Sequence, residues 1–420
     1  MKLRFRALIS CLFIATIFIG LYSYAMFQGG FVSWFLFFSF VPILVYEIAF
    51  LLYPLKKWTI SRKLTHHMIE AGDADTLHMM IKRFPFPLFY CICEEVVPES
   101  LMMVDPKSKK YQYINQPNKL VVKRNLKKVI SPVLTGEFSF TYPLHQVPRG
   151  EHYFTAVRIK IGDLFGFVKK EHVFFLRDLL VVYPRTRPFV LNEKINSFQH
   201  GGVMSSSFRL SNSNVATGIR EYMPGDRFSW IDWKQTARKN RMMTKEFEKE
   251  KSTNILIVLD CCKQSNHNSI VFEGMVEVTA SLLAQLKKLS TQAGLLTVGK
   301  ATNFFPPFDD PGKAASIKQH LASIQPGDHA NFALQLKSEM EKLRNDNIMI
   351  IIIGQIDHFL PETLKQLRQR SRRVIVLFVQ PANKQGEHAS FVKQVSLFNI
   401  EVYGITEQQL TKTPLEVKGL

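Results

Sequence analysis

Two long apolar runs stand at the start of the chain. Ala7 to Phe27 contains no charged residue, and after Gln28-Gly29-Gly30 a second run extends from Phe31 to Tyr53, broken only by Pro42 and Glu47. Each is close to the roughly 20 residues that carry a helix across about 30 Å of hydrocarbon. The pattern predicts a hairpin of two membrane helices (7–27 and 31–53) within residues 1–58. A cleaved signal peptide is the alternative for the first run, but its core exceeds the usual length, no small-x-small site follows, and a second apolar run comes at once. Lys2, Arg4 and Arg6 precede the first run, and Lys56, Lys57, Arg62 and Lys63 follow the second. Basic flanks stay inside, so both ends and everything after Tyr53 are expected on the cytoplasmic face. Glu47, within two turns of that end, is read as snorkelling to the interface rather than as a functional intramembrane carboxylate.

Residues 59–190 alternate in short segments such as HMMIKRF, LFYCICEEV, KLVVKRNL, GEFSFTYPL, YFTAVRIKI and HVFFLRDLLVVY. Many short strands at this spacing predict an antiparallel, sandwich-like β domain. Residues 191–252 hold a polar linker, Asn192 to Asn214, and a distinctive aromatic segment. From 253 to 420 the rhythm changes: NILIVLD, AGLLTVG, IMIIIIG, RVIVLFVQ and IEVYGI alternate with helix-length segments. Continuous apolar strands between amphipathic helices predict an α/β domain with a mostly parallel sheet covered on both faces. The expected fold class is thus multidomain: transmembrane hairpin, β domain, α/β domain.

Hydrophobic residues make up 46% of the 420, an ordinary share, so the apolar excess is local. The net charge of +19 draws attention to Lys107, Lys109, Lys110, Lys119, Lys123, Arg124, Lys127 and Lys128. Such residues gain about 1 kcal/mol each beside an anionic leaflet, which makes membrane lipids an expected partner; a solvated basic face accounts for them equally. No recognised motif accompanies the charge, so no nucleic acid is expected. The five cysteines are expected to be free thiols in a reducing compartment.

The most informative stretch is Gly218 to Glu250, GIREYMPGDRFSWIDWKQTARKNRMMTKEFEKE. Pro224-Gly225 predicts a turn, and Asp226 is placed to cap a helix from Arg227 to about Arg238. On that helix Trp230, Trp233 and Ala237 share a face, with Phe228 and Ile231 beside them. Arg220, Glu221, Asp232, Lys234 and Arg238 offer local ion pairs. Two roles fit: a structural clasp between the β and α/β domains, because aromatics at helical spacing usually pack, or a docking surface, because Trp and Arg are enriched at interface hot spots.

This segment resembles the signature of the bacterial family called domain of unknown function 58, roughly REYxPGD, an Ile-x-Trp-Lys element, then AR and a Glu-rich strand. Arg220, Glu221, Tyr222, Pro224, Gly225, Asp226, Ile231, Asp232, Trp233, Lys234, Ala237, Arg238, Lys245 and Glu246 match it, while Ser229 stands where the family usually has Arg. Arg149 to Lys170 is similar to the family's RGxY…DPFG element, with Leu164 in place of Pro. The resemblance implies a C-terminal domain similar to von Willebrand factor A domains, and the company of MoxR-type AAA+ ATPases and transglutaminase-like membrane proteins.

A von Willebrand A domain holds Mg²⁺ on three loops, the first Asp-x-Ser-x-Ser. Here that loop reads Asp260-Cys261-Cys262-Lys263-Gln264, the second His329-Ala330-Asn331 and the third Gly354-Gln355-Ile356-Asp357. A thiol is a poor ligand for a hard cation. Asp260 is the only in-register ligand, Asp357 is displaced, and Mg²⁺ is disfavoured; no other cofactor is expected. Binding of protein at the strand C-terminal ends, the habitual edge of such sheets, needs no ion. There is no phosphate-binding GxxxxGK[ST] loop, no GxSxG elbow and no HExxH pair. The expected function is a membrane-anchored, non-enzymatic adaptor binding a protein partner, a MoxR-type AAA+ ATPase in membrane or envelope assembly. A hydrolase or transglutaminase-associated enzyme with an unrecognised active site, and an anionic-lipid surface-binding protein, are the alternatives.

Overall fold

The computed structural model describes residues 2–166, 168–190, 216–223, 226, 228–247, 255–263, 268–289, 291–308, 310–328, 331–343, 347–383 and 389–419. The expected linker, Gly225, Gln264 and Ala330 lie outside them. The protein is a mixed α/β, multidomain chain. It divides into two compact units, Met1–Arg185 with Lys318–Ile324, and Thr186–Ile317 with Gln325–Leu420.

The first unit opens with helices α1 (Lys2–Gln28) and α2 (Phe31–Leu52). The second of these is long and apolar enough to cross a bilayer. Glu47 departs from expectation: rather than snorkelling outward it is 1% exposed and turned toward the Asp163 carboxyl. Eight strands follow: β1 (Thr59–Leu64), β2 (Met68–Glu70), β3 (Asp75–Lys82), β4 (Tyr90–Glu95), β5 (Lys127–Ile130), β6 (Glu137–Leu144), β7 (Gly150–Gly162) and β8 (Lys169–Tyr183). They form two sheets, β1-β3-β6 and β2-β8-β7-β4-β5, antiparallel except where β2 meets β8. Leu77, Met79 and Ile81 from one sheet and Phe154, Val157, Ile159 and Leu180 from the other share one core, continued by Phe50, Tyr53 and Trp58. The period of two in β3 gives each alternate side chain to that core.

Arg62 enters this core from β1. Its guanidinium pairs with Glu95, lies 2.7 Å from Asp178, and donates to the Phe154 and Leu176 carbonyls at 3.1 and 2.7 Å. Arg149, from the RGEHY element, donates to the carbonyls of Leu321, Ala322 and Ile324, capping a helix end within the same unit. Asp163 accepts from the Val168 amide at 2.9 Å and closes the turn after β7, where Gly166 holds φ +81°, a value that favours glycine.

Two expectations for this unit are corrected. KLVVKRNL is not a strand; it starts in a 3₁₀ turn, Pro117–Leu120, and Arg124 spends its guanidinium on the Leu101, Met103, His145 and Gln146 carbonyls. The basic cluster is also smaller than its sequence implies: Lys110 is buried against Asp105 at 2.7 Å and Lys107 pairs with Asp73. Lys109, Lys119, Lys123, Lys127 and Lys128 remain exposed.

The second unit begins with β9 (Phe189–Val190), β10 (Ala216–Glu221), α3 (Trp233–Lys239) and β11 (Met243–Phe247). The α/β portion then runs β12 (Ile255–Asp260), β13 (Cys262–Lys263), α4 (Ser269–Lys288), β14 (Ala293–Val298), β15 (Asn303–Phe308), α5 (Pro311–Ser323), β16 (Gly327–Asp328), α6 (Phe332–Glu339), β17 (Ile348–Ile353), α7 (Leu360–Arg370), β18 (Arg373–Val379), α8 (Ala389–Ser396), β19 (Glu401–Ile405), α9 (Glu407–Thr411), β20 (Leu415–Glu416) and β21 (Lys418–Gly419). Seven strands make one sheet in the order β15-β14-β12-β17-β18-β19-β21. The middle five are mutually parallel and the two edges antiparallel. Every residue of β12, β14 and β17 is buried, as a sheet covered on both faces requires. Helix α4 passes the same length and apolarity test as α2, yet 72% of its apolar window is buried inside the protein, so it is a core helix. Within this unit Arg187 reaches Glu277 of α4 at 2.5 Å and the Leu410 and Lys412 carbonyls.

Candidate functional site

The distinctive segment folds as a self-supporting clasp. β10 and β11 form their own antiparallel pair, with Arg220 opposite Thr244 and Glu221 opposite Met243. Arg220 bonds Asp226 at 2.7 Å, and the other Asp226 oxygen accepts the Met223 amide at 3.0 Å. Arg220 and that amide together hold the Asp226 carboxyl below its ordinary range. Asp226 is therefore a turn-closing residue and not the expected helix cap. The cap is Asp232, whose carboxylate accepts the Gln235 amide at 3.1 Å, and the helix it starts is α3. Asn240, in the left-handed region at φ 52°, ends it.

The expected helix over 227–238 is thus shorter. Trp230 sits in a preceding 3₁₀ turn, Phe228–Trp230, so it does not share a helical face with Trp233 and Ala237. The Met243 amide donates to Thr236 Oγ1, and the Asp232 amide to the Met243 carbonyl, which ties α3 onto β11. Ile231 and Met243 are buried under this framework. Outside it lie Trp233, 67% exposed, with Phe228 and Met223 also exposed. Lys234 and Arg238 point to solvent, Glu221 pairs with Arg241 at 3.0 Å, and Tyr222 stacks obliquely on Phe228. Phe228 was grouped with the packing residues in the sequence; its place before the capped helix turns it outward.

A second constellation occupies the C-terminal edge of the parallel sheet. β12 is the strand from which the chain leaves in both directions, first to β14 and later to β17. Such a switch point opens a crevice beyond the strand ends. Asp260 ends β12, and its Oδ1 accepts the Cys262 amide at 2.9 Å. Asp357, just beyond β17, approaches closely enough to act on it: burial first, then the Asp357 charge, push the Asp260 carboxyl up to about 7 against the pull of the Cys262 amide. One Asp357 oxygen is buried with no hydrogen-bond partner among the described residues. Cys262 Sγ lies 3.7 Å from Gln335 Oε1 of α6, and burial together with the Asp260 charge pushes its thiol up to about 12. Gly354 lets α4 approach beneath this edge, since a Cβ there would meet Met275 Sδ at 2.7 Å.

This edge does not fit a hard cation. Two carboxyls, one of them protonated near neutrality, a protonated thiol and an amide are a poor oxygen cage. Nor does the thiol fit nucleophilic chemistry, which uses the thiolate. In the first unit, His152 Nδ1 lies 2.8 Å from the Ser100 hydroxyl and Nε2 lies 2.8 Å from the Pro148 carbonyl. Burial lowers that imidazole to about 4, so it is neutral and both nitrogens are satisfied, a link from the turn at Glu99–Leu101 to β7.

Comparison with known proteins agrees with the signature. The chain is 36% identical over 304 residues to a Bacillus subtilis (strain 168) protein described as "Uncharacterized protein YeaD", covering 72% of this chain and 71% of that one. Two solved structures align weakly, at 12% identity each: a Pseudomonas fluorescens alkylpurine DNA glycosylase AlkC bound to DNA, with a TM-score of 0.17 over 29% of this chain and 31% of that one, and Cwp6 from Clostridium difficile, with a TM-score of 0.16 over 84% and 55%. Both cover less than two thirds of the solved chain, and scores this low carry no fold assignment. Residues 218–407, which contain both constellations, match the family described as "Protein of unknown function DUF58", and with that relative spanning both units the chain belongs to this family.

Proposed function

We propose that this protein is a membrane-anchored, non-enzymatic adaptor, with α1 and α2 as the anchor and the exposed face of the signature clasp as its docking surface. The observation that carries the reading is Trp233, with Phe228 and Met223, standing outside a framework that is already closed by backbone bonds, the Asp232 cap and the Arg220–Asp226 pair. A large aromatic that the local fold does not use is the residue type that anchors interfaces. The partner is a protein, a MoxR-type AAA+ ATPase in membrane or envelope assembly. The α/β portion is von Willebrand A-like; its strand order, its antiparallel β15 edge and Asp260 at the end of the first strand support that reading. It works without an ion, because the donors at that edge are the wrong kind. The basic flanks of the apolar pair place both termini and both units on the cytoplasmic side.

The test is a crosslinking capture from native membranes with the tagged full-length chain. The intact chain is expected to recover an AAA+ ATPase. Trp233→Ala and Phe228→Ala should each weaken recovery by about 2 kcal/mol, roughly 30-fold, while moving stability by no more than about 0.5 kcal/mol, as exposed positions do. Undiminished recovery with both variants would return the clasp to a structural role.

A further inference from the structure

The β strands of the first unit leave three loops beside the last turns of α2. Residues 83–89 are tied to that helix: the Tyr46 hydroxyl donates to the Pro87 carbonyl at 3.2 Å and the Tyr53 hydroxyl to the Phe84 carbonyl at 2.8 Å. The Tyr46 ring meets Phe86 and Phe89, and the Tyr53 ring meets Phe86 at 4.9 Å. Residues 131–136 are held to the first loop by the Leu88–Val133 bridge and by Arg83, which donates to the Pro132 and Val133 carbonyls. The turn after β7 follows Gly162, which pairs with Tyr90, and its Leu164 amide reaches the Tyr46 hydroxyl.

Tyr46 stands six residues before the end of α2 at Leu52, about 9 Å back along the helix axis. The loops therefore ring α2 at a level inside its apolar stretch. Around that ring the outward side chains are Phe84, 73% exposed, Leu134, 63% exposed, and the exposed Phe89, Tyr90, Leu164 and Phe165. Asp163, the one acid in these loops, is buried. A contiguous apolar rim of this size on a water-facing surface is unusual, and aromatic side chains concentrate where headgroups meet acyl chains.

We propose that these three loops insert into the headgroup–acyl boundary of the same bilayer that α2 crosses, so that the β unit is seated in the membrane surface and not suspended from its anchor. The inference rests on the reading of α2 as a membrane span. The occupant is lipid because the rim surrounds an apolar helix of membrane length and shares its level. The contact is apolar and interfacial, independent of the exposed lysines elsewhere in the unit.

Spin-label accessibility tests it on the full-length chain in vesicles of phosphatidylethanolamine and phosphatidylglycerol. Cys91, Cys93, Cys261 and Cys262 are buried, and Cys11→Ala removes the remaining thiol. Labels go singly at Phe84→Cys, Leu134→Cys and Leu164→Cys, with Val45→Cys reporting on α2. Lys123→Cys reports the far end of the β1-β3-β6 sheet, since β3 spans eight residues and its ends lie about 23 Å apart. The three rim labels are expected to show an oxygen-to-nickel-chelate accessibility ratio above that at Lys123 and below that at Val45. Rim labels matching Lys123, with Val45 reading lipid, would overturn the inference and leave the anchor standing. Rim labels shielded from both reagents would overturn it in favour of a protein cover. An aqueous Val45 would remove the anchor reading itself, and this inference with it.

Discussion

Replacing Arg62 by alanine is expected to lower the stability of the first unit by about 3–5 kcal/mol, the range seen when one partner of a buried ion pair is removed. The guanidinium serves two carboxylates and two carbonyls, and it also stacks 5.3 Å from the Phe154 ring centre. Its loss leaves Glu95 buried without its cation. Burial already pushes Glu95 up to about 7, with Arg62 opposing it and Asp178 assisting. That folded value lies above the unfolded carboxyl value of 4.5, so the folded state holds a proton that the unfolded state has lost between them. Stability from this group is complete below about 4.5 and is lost as pH rises through 7. Without Arg62 the folded value rises further, so the damage should be smaller at pH 6 than at pH 8. Urea titrations of the full-length chain in detergent, read by proteolysis of the first unit, measure both effects. Arg62→Met combined with Glu95→Leu and Asp178→Leu should recover much of the loss, because apolar replacement of a whole buried network is often near neutral. Equal loss at both pH values would show that Glu95 stays ionised throughout.

What the sequence revealed, and what it hid, follows the range of the interactions involved. The strands β12, β14, β17, β18 and β19 are legible because both faces are buried and each run is apolar throughout. The span of α2 is legible for the same reason. KLVVKRNL reads as a strand by composition, but the carbonyls that engage Arg124 belong to turns before and after it. Asp226 and Asp232 are equally good caps in one dimension; only the hairpin that brings Arg220 back beside Asp226 decides between them. Lys110 looks like a surface lysine until a 3₁₀ turn lays it on Asp105. The electrostatic contact of Asp357 with Asp260 needs β12 and β17 to be neighbours, which no local pattern announces. The three-loop rim around α2 is likewise invisible, since its members come from separate turns whose residues are unremarkable singly.

An Asp260→Asn substitution is expected to stabilise the protein at pH 8 and leave it little changed at pH 4. In the folded state burial and Asp357 raise the carboxyl from 3.8 to about 7, so ionising it inside the fold is opposed. The stability it contributes is complete below about 3.8 and is lost as pH rises through 7. A shift of roughly three units corresponds to about 4 kcal/mol at most. Asparagine keeps an oxygen for the Cys262 amide while removing the titration, so the variant should lose the slope between pH 4 and 7 and retain the low-pH value. Denaturant midpoints measured from pH 4 to pH 8 for both chains read this directly. Mg²⁺ supplies the opposing outcome. A cation held by Asp260 and Asp357 would stabilise the parent chain at pH 8 and would be lost in the variant, reversing the sign of the substitution. With a protonated carboxyl, a thiol held up near 12 and an amide at this edge, millimolar Mg²⁺ should move neither midpoint. The edge is then a neutral-to-anionic protein surface whose charge changes by one near pH 7, and any partner seated on it should bind differently at pH 6 and pH 8 in the parent chain but not in Asp260→Asn.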